Sequence, residues 1–261
     1  MAETLFQAIL RDLLALLWPS SCLGCGRPDR DWCAECAAGF ARSHRLIDVP
    51  HDSGEARAGL IRGRWIAAAP YADVMRHLIV RYKHHGQRSF AAALAGALEG
   101  PLDEVMSGGP PDEVLVVAMP SRKEAVRRRG YRPLEEILRL VRFADGRRLG
   151  RAELRRGRVL AATRGRTGQV GLGIAERRRN AARLRVASGA QVDGRCVVLV
   201  DDIVTTGATL NAATAALEAS GARVLGAAVL AVTLTRHDRI SARLGRIAQL
   251  NSQYEEERGN V

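Results

Sequence analysis

At 261 residues with 47% hydrophobic content, the chain has room for one full α/β domain plus an appendage, and two equal domains would be cramped. The net charge of +12 comes almost wholly from arginine, since only Lys83 and Lys123 are lysines among 40 basic residues; either a selected nucleic-acid surface or arginine-favouring base composition produces that, and charge speaks to association rather than fold. No apolar run reaches about 18 residues, which excludes a membrane-spanning helix, and Met1 to Trp18, with Glu3 and no early basic cluster, makes a poor signal peptide, so a cytoplasmic protein is expected.

Leu5, Phe6, Ile9, Leu10, Leu13, Leu14 and Leu17 recur at helical spacing and predict an amphipathic helix that Pro19 stops. Such a helix needs a partner. Docking on the body of the protein is the default, and a membrane surface the lesser alternative, because the polar face has only one arginine. Next come Cys22-x-x-Cys25 and, seven residues on, Cys33-x-x-Cys36. Two knuckles this close bring four thiolates around one tetrahedral Zn²⁺, and so short a segment has too little core to order itself without a clamp. Disulfide pairing and thioredoxin-like redox chemistry compete with this reading; a reducing cytosol disfavours the first, and the second wants a single Cys-x-x-Cys opening a helix after a strand. His44 is within sequence reach but is left out, as four cysteines fill a structural site. Cys196, the fifth cysteine, reads as a small buried residue.

A second unit begins near Ile61. Trp65 to Tyr71 predicts a strand leading into a helix at Asp73, whose side chain would cap it, with Val74, Leu78, Ile79 and Tyr82 on one face and Lys83-His84-His85-Gly86 at its end. Ala91 to Leu98 predicts a further helix closed by Gly100 and Pro101. After the Pro110-Pro111 loop, Val114 to Ala118 is a short buried strand that runs into Met119-Pro120-Ser121-Arg122-Lys123. Six basic residues face one acid between Arg122 and Arg132, with Gly130 as hinge or tight turn. These cations either complement a pyrophosphate or form a solvated helix face; a multiply charged leaving group at a strand's exit favours the first for some of them. Between Arg142 and Arg185 stand 14 arginines and three acids with Phe143 the one aromatic, a basic hood without the stacking platforms that single-stranded nucleic acid favours. Sequence-independent contact with DNA or RNA stays open.

The run Val197-Val198-Leu199-Val200-Asp201-Asp202-Ile203-Val204-Thr205-Thr206-Gly207-Ala208-Thr209 joins a strand suited to the inside of a parallel sheet, two carboxylates, and a hydroxyl-rich turn before a helix. The turn offers backbone N–H groups, threonine hydroxyls and the positive end of the helix dipole to a phosphate. The two acids repel phosphate and suit the vicinal hydroxyls of a ribose, with a divalent cation to offset their repulsion. This stretch resembles the phosphoribosyl-pyrophosphate signature of type I phosphoribosyltransferases at every position. An ordinary strand, turn and helix is the competing reading. No Gly-x-x-x-x-Gly-Lys-[Ser/Thr] is present, and Gly171-Leu172-Gly173 lacks a third glycine and a preceding strand. A helix from Leu210 through Ala219, capped by Gly221, and a strand at Val224 to Val232 parallel to the Val197 strand complete a βαβ unit. The tail after Arg236 is polar, and the six histidines are scattered with no partners for a triad.

The whole order of elements resembles the ComF competence-protein family. The likeness rests on the N-terminal apolar helix, the double Cys-x-x-Cys, Leu-Ile-x-x-x-Lys-x-x-Gly at Leu78 to Gly86, and the loop ending at Pro120. Arg127-x-x-Gly130-Tyr131, Thr167-x-Gln169-Val170-Gly171-Leu172, Glu176-Arg177 and Asn180 extend it. Two departures stand out: Arg132-Pro133 replaces the family's Asn-Gln, and Ala118-Met119-Pro120 keeps only the last proline of its second Val-Pro pair. The first puts acceptor choice in question and leaves the phosphosugar half untouched. The resemblance implies a type I phosphoribosyltransferase-like, mostly parallel α/β sheet flanked by helices with a small N-terminal zinc ribbon, and an association with DNA uptake.

The expected organisation is an apolar helix and zinc segment over 1–45, a phosphoribosyltransferase-like domain over 60–235 and a polar tail over 236–261. The expected chemistry is binding of phosphoribosyl pyrophosphate, and transfer or sensing of its ribose 5-phosphate group. Asp201 and Asp202 would hold the ribose hydroxyls, Thr205, Thr206, Gly207, Ala208 and Thr209 would cradle the 5-phosphate, and Lys83, Arg122 and Lys123 would neutralise the departing pyrophosphate with Mg²⁺. The alternative is a non-catalytic zinc-ribbon adaptor that binds single-stranded DNA or a DNA-translocating helicase.

Overall fold

The structure, a computed structural model, describes residues 21–28, 31–42, 46–49, 63–110, 114–143, 146, 148–149, 159–162 and 184–234. The expected helix over 5–17, the Thr167 to Asn180 block, most of the arginine-rich hood and the tail lie outside them. In chain order the elements are α1 (Ala34–Arg42), β1 (Ile47–Asp48), β2 (Arg64–Pro70), α2 (Asp73–His84), α3 (Ala91–Met106), β3 (Val114–Ala118), α4 (Lys123–Arg129), α5 (Pro133–Leu140), β4 (Leu160–Ala162), β5 (Leu184–Val186), β6 (Cys196–Val204), α6 (Ala208–Glu218) and β7 (Arg223–Val232).

A five-stranded sheet runs β1-β2-β7-β6-β3; the short β1 is antiparallel to β2 and every other pair is parallel. Successive strand residues point to opposite faces. Val197, Val198, Leu199 and Val200 of β6 are each 0% exposed, so both faces of the sheet are covered. This is the mixed, mostly parallel sheet with flanking helices that the sequence predicts. The α3 helix lies across β2 and β7, α6 lies against β6 and β7, and β4 pairs antiparallel with β5 in a separate small sheet.

Two local expectations change. Pro101 does not close α3 but sits inside it, because Leu102, Val105 and Met106 beyond it are buried in the core, and their burial outweighs the missing N–H of proline. Asp73 does not cap α2: Ala72 holds the extended N-cap conformation, no side chain bonds there, and Asp73 is already the first helical residue. Gly130 ends α4 in the left-handed region at φ +79°, the tight turn expected of it.

Candidate functional site

Strand β6 continues to Val204 rather than ending at Val200, with Asp201 opposite Val229 and Ile203 opposite Ala231 of β7. Both acids therefore sit on a rigid strand and are partly buried. The chain then turns through Thr205, Thr206 and Gly207, and α6 starts at Ala208. Gly207 is needed twice over. Its φ of +69° suits glycine, and a Cβ there would fall 2.5 Å from the Cζ3 of Trp65 on β2. The Ala208 N–H donates to Thr206 Oγ1 at 3.5 Å, at the positive end of the 11-residue α6.

The turn opens into a cavity of about 500 Å³. Asp201, Asp202 and all five residues Thr205 to Thr209 line it, and Lys83 and Arg122 join them from α2 and the loop after β3. Thus the structure gathers every proposed sugar-phosphate residue into one hollow. Lys123 is exposed at the start of α4 and is not among the lining residues. Among the lining residues that sequence reasoning did not assign to the site are Tyr71, His84 and Leu134; Arg128 and Arg129, seen only within a basic stretch, also reach the cavity.

Lys83 Nζ forms an ion pair with Asp202 Oδ2, their side chains 22% and 17% exposed. The Asp202 N–H donates to Asp201 Oδ1 at 2.8 Å. Burial and the neighbouring Asp202 charge push the Asp201 carboxyl up to about 8. Burial would raise Asp202 as well, but the attraction and hydrogen bond of Lys83 outweigh it and hold that carboxyl below its usual range. One acid is thus charged and paired while its neighbour holds a proton near neutrality. His84 is held below the ordinary imidazole range by burial and by Arg129, Lys83, Arg128 and His85. The Nε–H of Arg129 is buried with no acceptor among the described residues.

A polar cluster fixes the wall that carries Lys83. Tyr82 OH lies 3.1 Å from both Pro133 O and Glu136 Oε2, and Tyr131 OH donates to Tyr82 O. Arg88 donates from Nε to Glu136 Oε1 at 2.7 Å and lies over the Tyr131 ring. These contacts join residues about 50 positions apart, so no local periodicity could signal them.

At the other end, the sulfurs of Cys22, Cys25, Cys33 and Cys36 all lie within 4.8 Å of one another. Sulfurs around a tetrahedral Zn²⁺ are about 3.8 Å apart, given a Zn–S bond near 2.3 Å, and Cys25 and Cys33 are at 3.8 Å. All four are free thiols. Cys33 N–H points at Cys22 Sγ and Cys36 N–H at Cys33 Sγ, each at 3.4 Å, the donors that thiolate ligands receive. The residues fit a zinc ion. The knuckle is docked on the body: Gln87 Nε2 and Ser89 Oγ donate to the Asp31 carboxylate at 3.1 and 3.0 Å, and Trp32 packs edge-on against Phe90.

Comparison with known proteins agrees with this geometry. Residues 125–250 match the family described as "Phosphoribosyl transferase domain". Two curated proteins named adenine phosphoribosyltransferase are similar to short stretches of the chain. The Mycobacterium marinum (strain ATCC BAA-535 / M) protein is 50% identical over 44 residues, covering 17% of this chain and 24% of that protein. The Rhodococcus jostii (strain RHA1) protein is 46% identical over 50 residues, covering 19% and 28%. The chain thus spans about a quarter of the length of the curated relatives it matches. Segment 125–250, which supplies β6, the Thr205 to Thr209 turn and α6, is similar to a phosphoribosyl transferase domain.

Proposed function

We propose that the protein binds phosphoribosyl pyrophosphate with Mg²⁺ and transfers its ribose 5-phosphate group to a nucleophile. The observation that carries this reading is the convergence of Asp201, Asp202 and the Thr205 to Thr209 turn on one cavity that Lys83 and Arg122 also enter. The turn's amides, its hydroxyls and the α6 dipole receive the 5-phosphate. The side chains of Asp201 and Asp202 accept from the ribose hydroxyls, and the negative charge of Asp202, joined by that of Asp201 where a bound Mg²⁺ would displace its proton, favours positive charge developing at C1. The C1–O bond to pyrophosphate breaks, the leaving group keeps the electron pair, and the incoming nucleophile bonds to C1 and releases its proton. Lys83, Arg122, Arg128 and Arg129 face the charge that departs. Asp201, which has no ion-pair partner among the described residues, is the carboxylate that would hold Mg²⁺ beside the substrate's own oxygens. Bound there, the ion supplies neutralisation of the diphosphate.

Arrangement of the cysteine knuckle ahead of the domain, together with the motifs between Leu78 and Asn180, supports a place in the ComF family, with zinc as structural metal and DNA uptake as setting. Adenine, named in the relatives, is the first acceptor to try. Calorimetry with phosphoribosyl pyrophosphate and Mg²⁺ tests the reading: Asp201→Asn with Asp202→Asn should abolish binding, and unchanged affinity would refute it. Pyrophosphate release with adenine and a panel of amines then separates transfer from binding alone.

A further inference from the structure

We infer that His84 and Arg129 form a proton-linked anion clamp, in which His84 takes up a proton from solvent when a pyrophosphate group enters the cavity beside Arg129. The inference rests on the reading above, that pyrophosphate leaves from this cavity.

Three observations support it. First, His84 is exposed overall yet turns part of its surface into the same cavity as Arg128 and Arg129 of α4. Second, Arg129 lines the cavity, and its buried Nε–H has no acceptor among the described residues. Buried donors are satisfied in the great majority of cases, so an unmet donor on a cavity-lining guanidinium leaves that side chain with binding capacity to spare. Third, the charges around His84 are almost all of one sign. Lys83 comes from its own helix and His85 directly follows it, Arg128 and Arg129 come from α4, and Arg122 lines the same cavity from the loop after β3. Of the two β6 acids that line the cavity, Asp202 is already paired with Lys83.

Crowded by cations, the imidazole gives up its proton more readily than an ordinary histidine in the free protein. A pyrophosphate carries several negative charges, so its arrival inverts the local field and favours the imidazolium. His84 then gives a further N–H donor to the anion, and it returns the proton to solvent when the anion leaves. Nothing else is consumed. Release is favoured as pH rises and capture as pH falls, so the site holds pyrophosphate less tightly once the proton is gone.

Titration of the full chain with magnesium pyrophosphate in the calorimeter, between about pH 5.5 and 8, tests the clamp. The ratio of wild-type affinity to that of His84→Gln cancels the ligand's own ionisation. That ratio should rise as pH falls, by up to about tenfold per pH unit within the window between the free and bound imidazole values. His84→Lys, with permanent charge, should bind tightly without the slope. Wild type, measured in two buffers of different ionisation enthalpy, should take up more protons on binding than either variant, by up to one per site. A pH-independent ratio, or equal proton uptake in all three proteins, would overturn the clamp while leaving the cavity assignment standing. If neither wild type nor variants bind pyrophosphate, the proposed function falls and the clamp with it.

Discussion

Gly207 offers a sharp test of how the phosphate turn is built. Replacing it with alanine puts a Cβ 2.5 Å from Trp65 Cζ3 and 2.9 Å from Cη2, and forces a side chain into the left-handed region at φ +69°. The ring cannot retreat, since Trp65 is 3% exposed within the core. Left-handed strain costs about 1–2 kcal/mol and overpacking a closed core about 1–3 kcal/mol, so Gly207→Ala should lose roughly 2–5 kcal/mol. Gly130→Ala is the control. It sits at φ +79° with nothing within 4 Å of a Cβ, so strain alone applies and about 1–2 kcal/mol should be lost. Urea unfolding read by tryptophan fluorescence should show a lower midpoint with an unchanged slope for both variants. Affinity for phosphoribosyl pyrophosphate should fall in Gly207→Ala and far less in Gly130→Ala. Equal losses of stability in the two would refute the claim that the turn is packed onto Trp65.

Three more outcomes follow from the electrostatics and the sulfur cluster. The folded pKa of Asp201, about 8, lies above its unfolded value, so the stability it contributes is present at low pH and is lost as pH rises from about 4 through 8. In metal-free buffer Asp201→Asn, which keeps the Oδ1 acceptor, should therefore gain in Tm over wild type as pH rises, and a difference that stays flat would contradict this. Lys83→Met strips the partner from Asp202; with both side chains about a fifth exposed, the fully buried penalty is discounted to about 1–3 kcal/mol at pH 7. Because the Asp202 pKa is depressed, this difference should close as pH falls below about 4 and the carboxyl protonates, as acid-range denaturant titrations would report. Cys33→Ser should reduce bound zinc, measured by atomic emission, from one per chain to none, and should shift the emission of Trp32, which packs on Phe40 and Phe90 beside the knuckle.

Much of the site was readable along the chain because its parts are contiguous. Val197 to Thr209 carries strand, acids, turn and helix start in one run, so its arrangement was legible without any contact. Val114 to Ala118 forms a strand over the residues expected, because a short β-branched run between turn signals has few other ways to be buried. The cysteine spacing foretold a cluster for a similar reason: four ligands within fifteen residues leave little freedom in where they meet. Failures came where distant packing overrides local preference. Pro101 reads as a stop, yet the core's claim on Leu102, Val105 and Met106 carries α3 past it. His84 reads as part of the end of a helix, and only the placement of α4 beside the same cavity gives that position an electrostatic meaning. The tyrosine cluster around Glu136 has no sequence signal at all, since Tyr82 and Tyr131 meet through the tertiary fold.

The stretch matched as a transferase domain begins at residue 125, yet Tyr71, Lys83, His84 and Arg122 all come before it. Strand β2, which flanks β7 and carries the ring that seats Gly207, comes before it too. Excised at that border, the remainder would present β7 as a raw flank and leave the hollow open on one side. Any truncation meant to keep the hollow whole must therefore start upstream of Arg64, because the body that encloses it is larger than the segment matched by sequence.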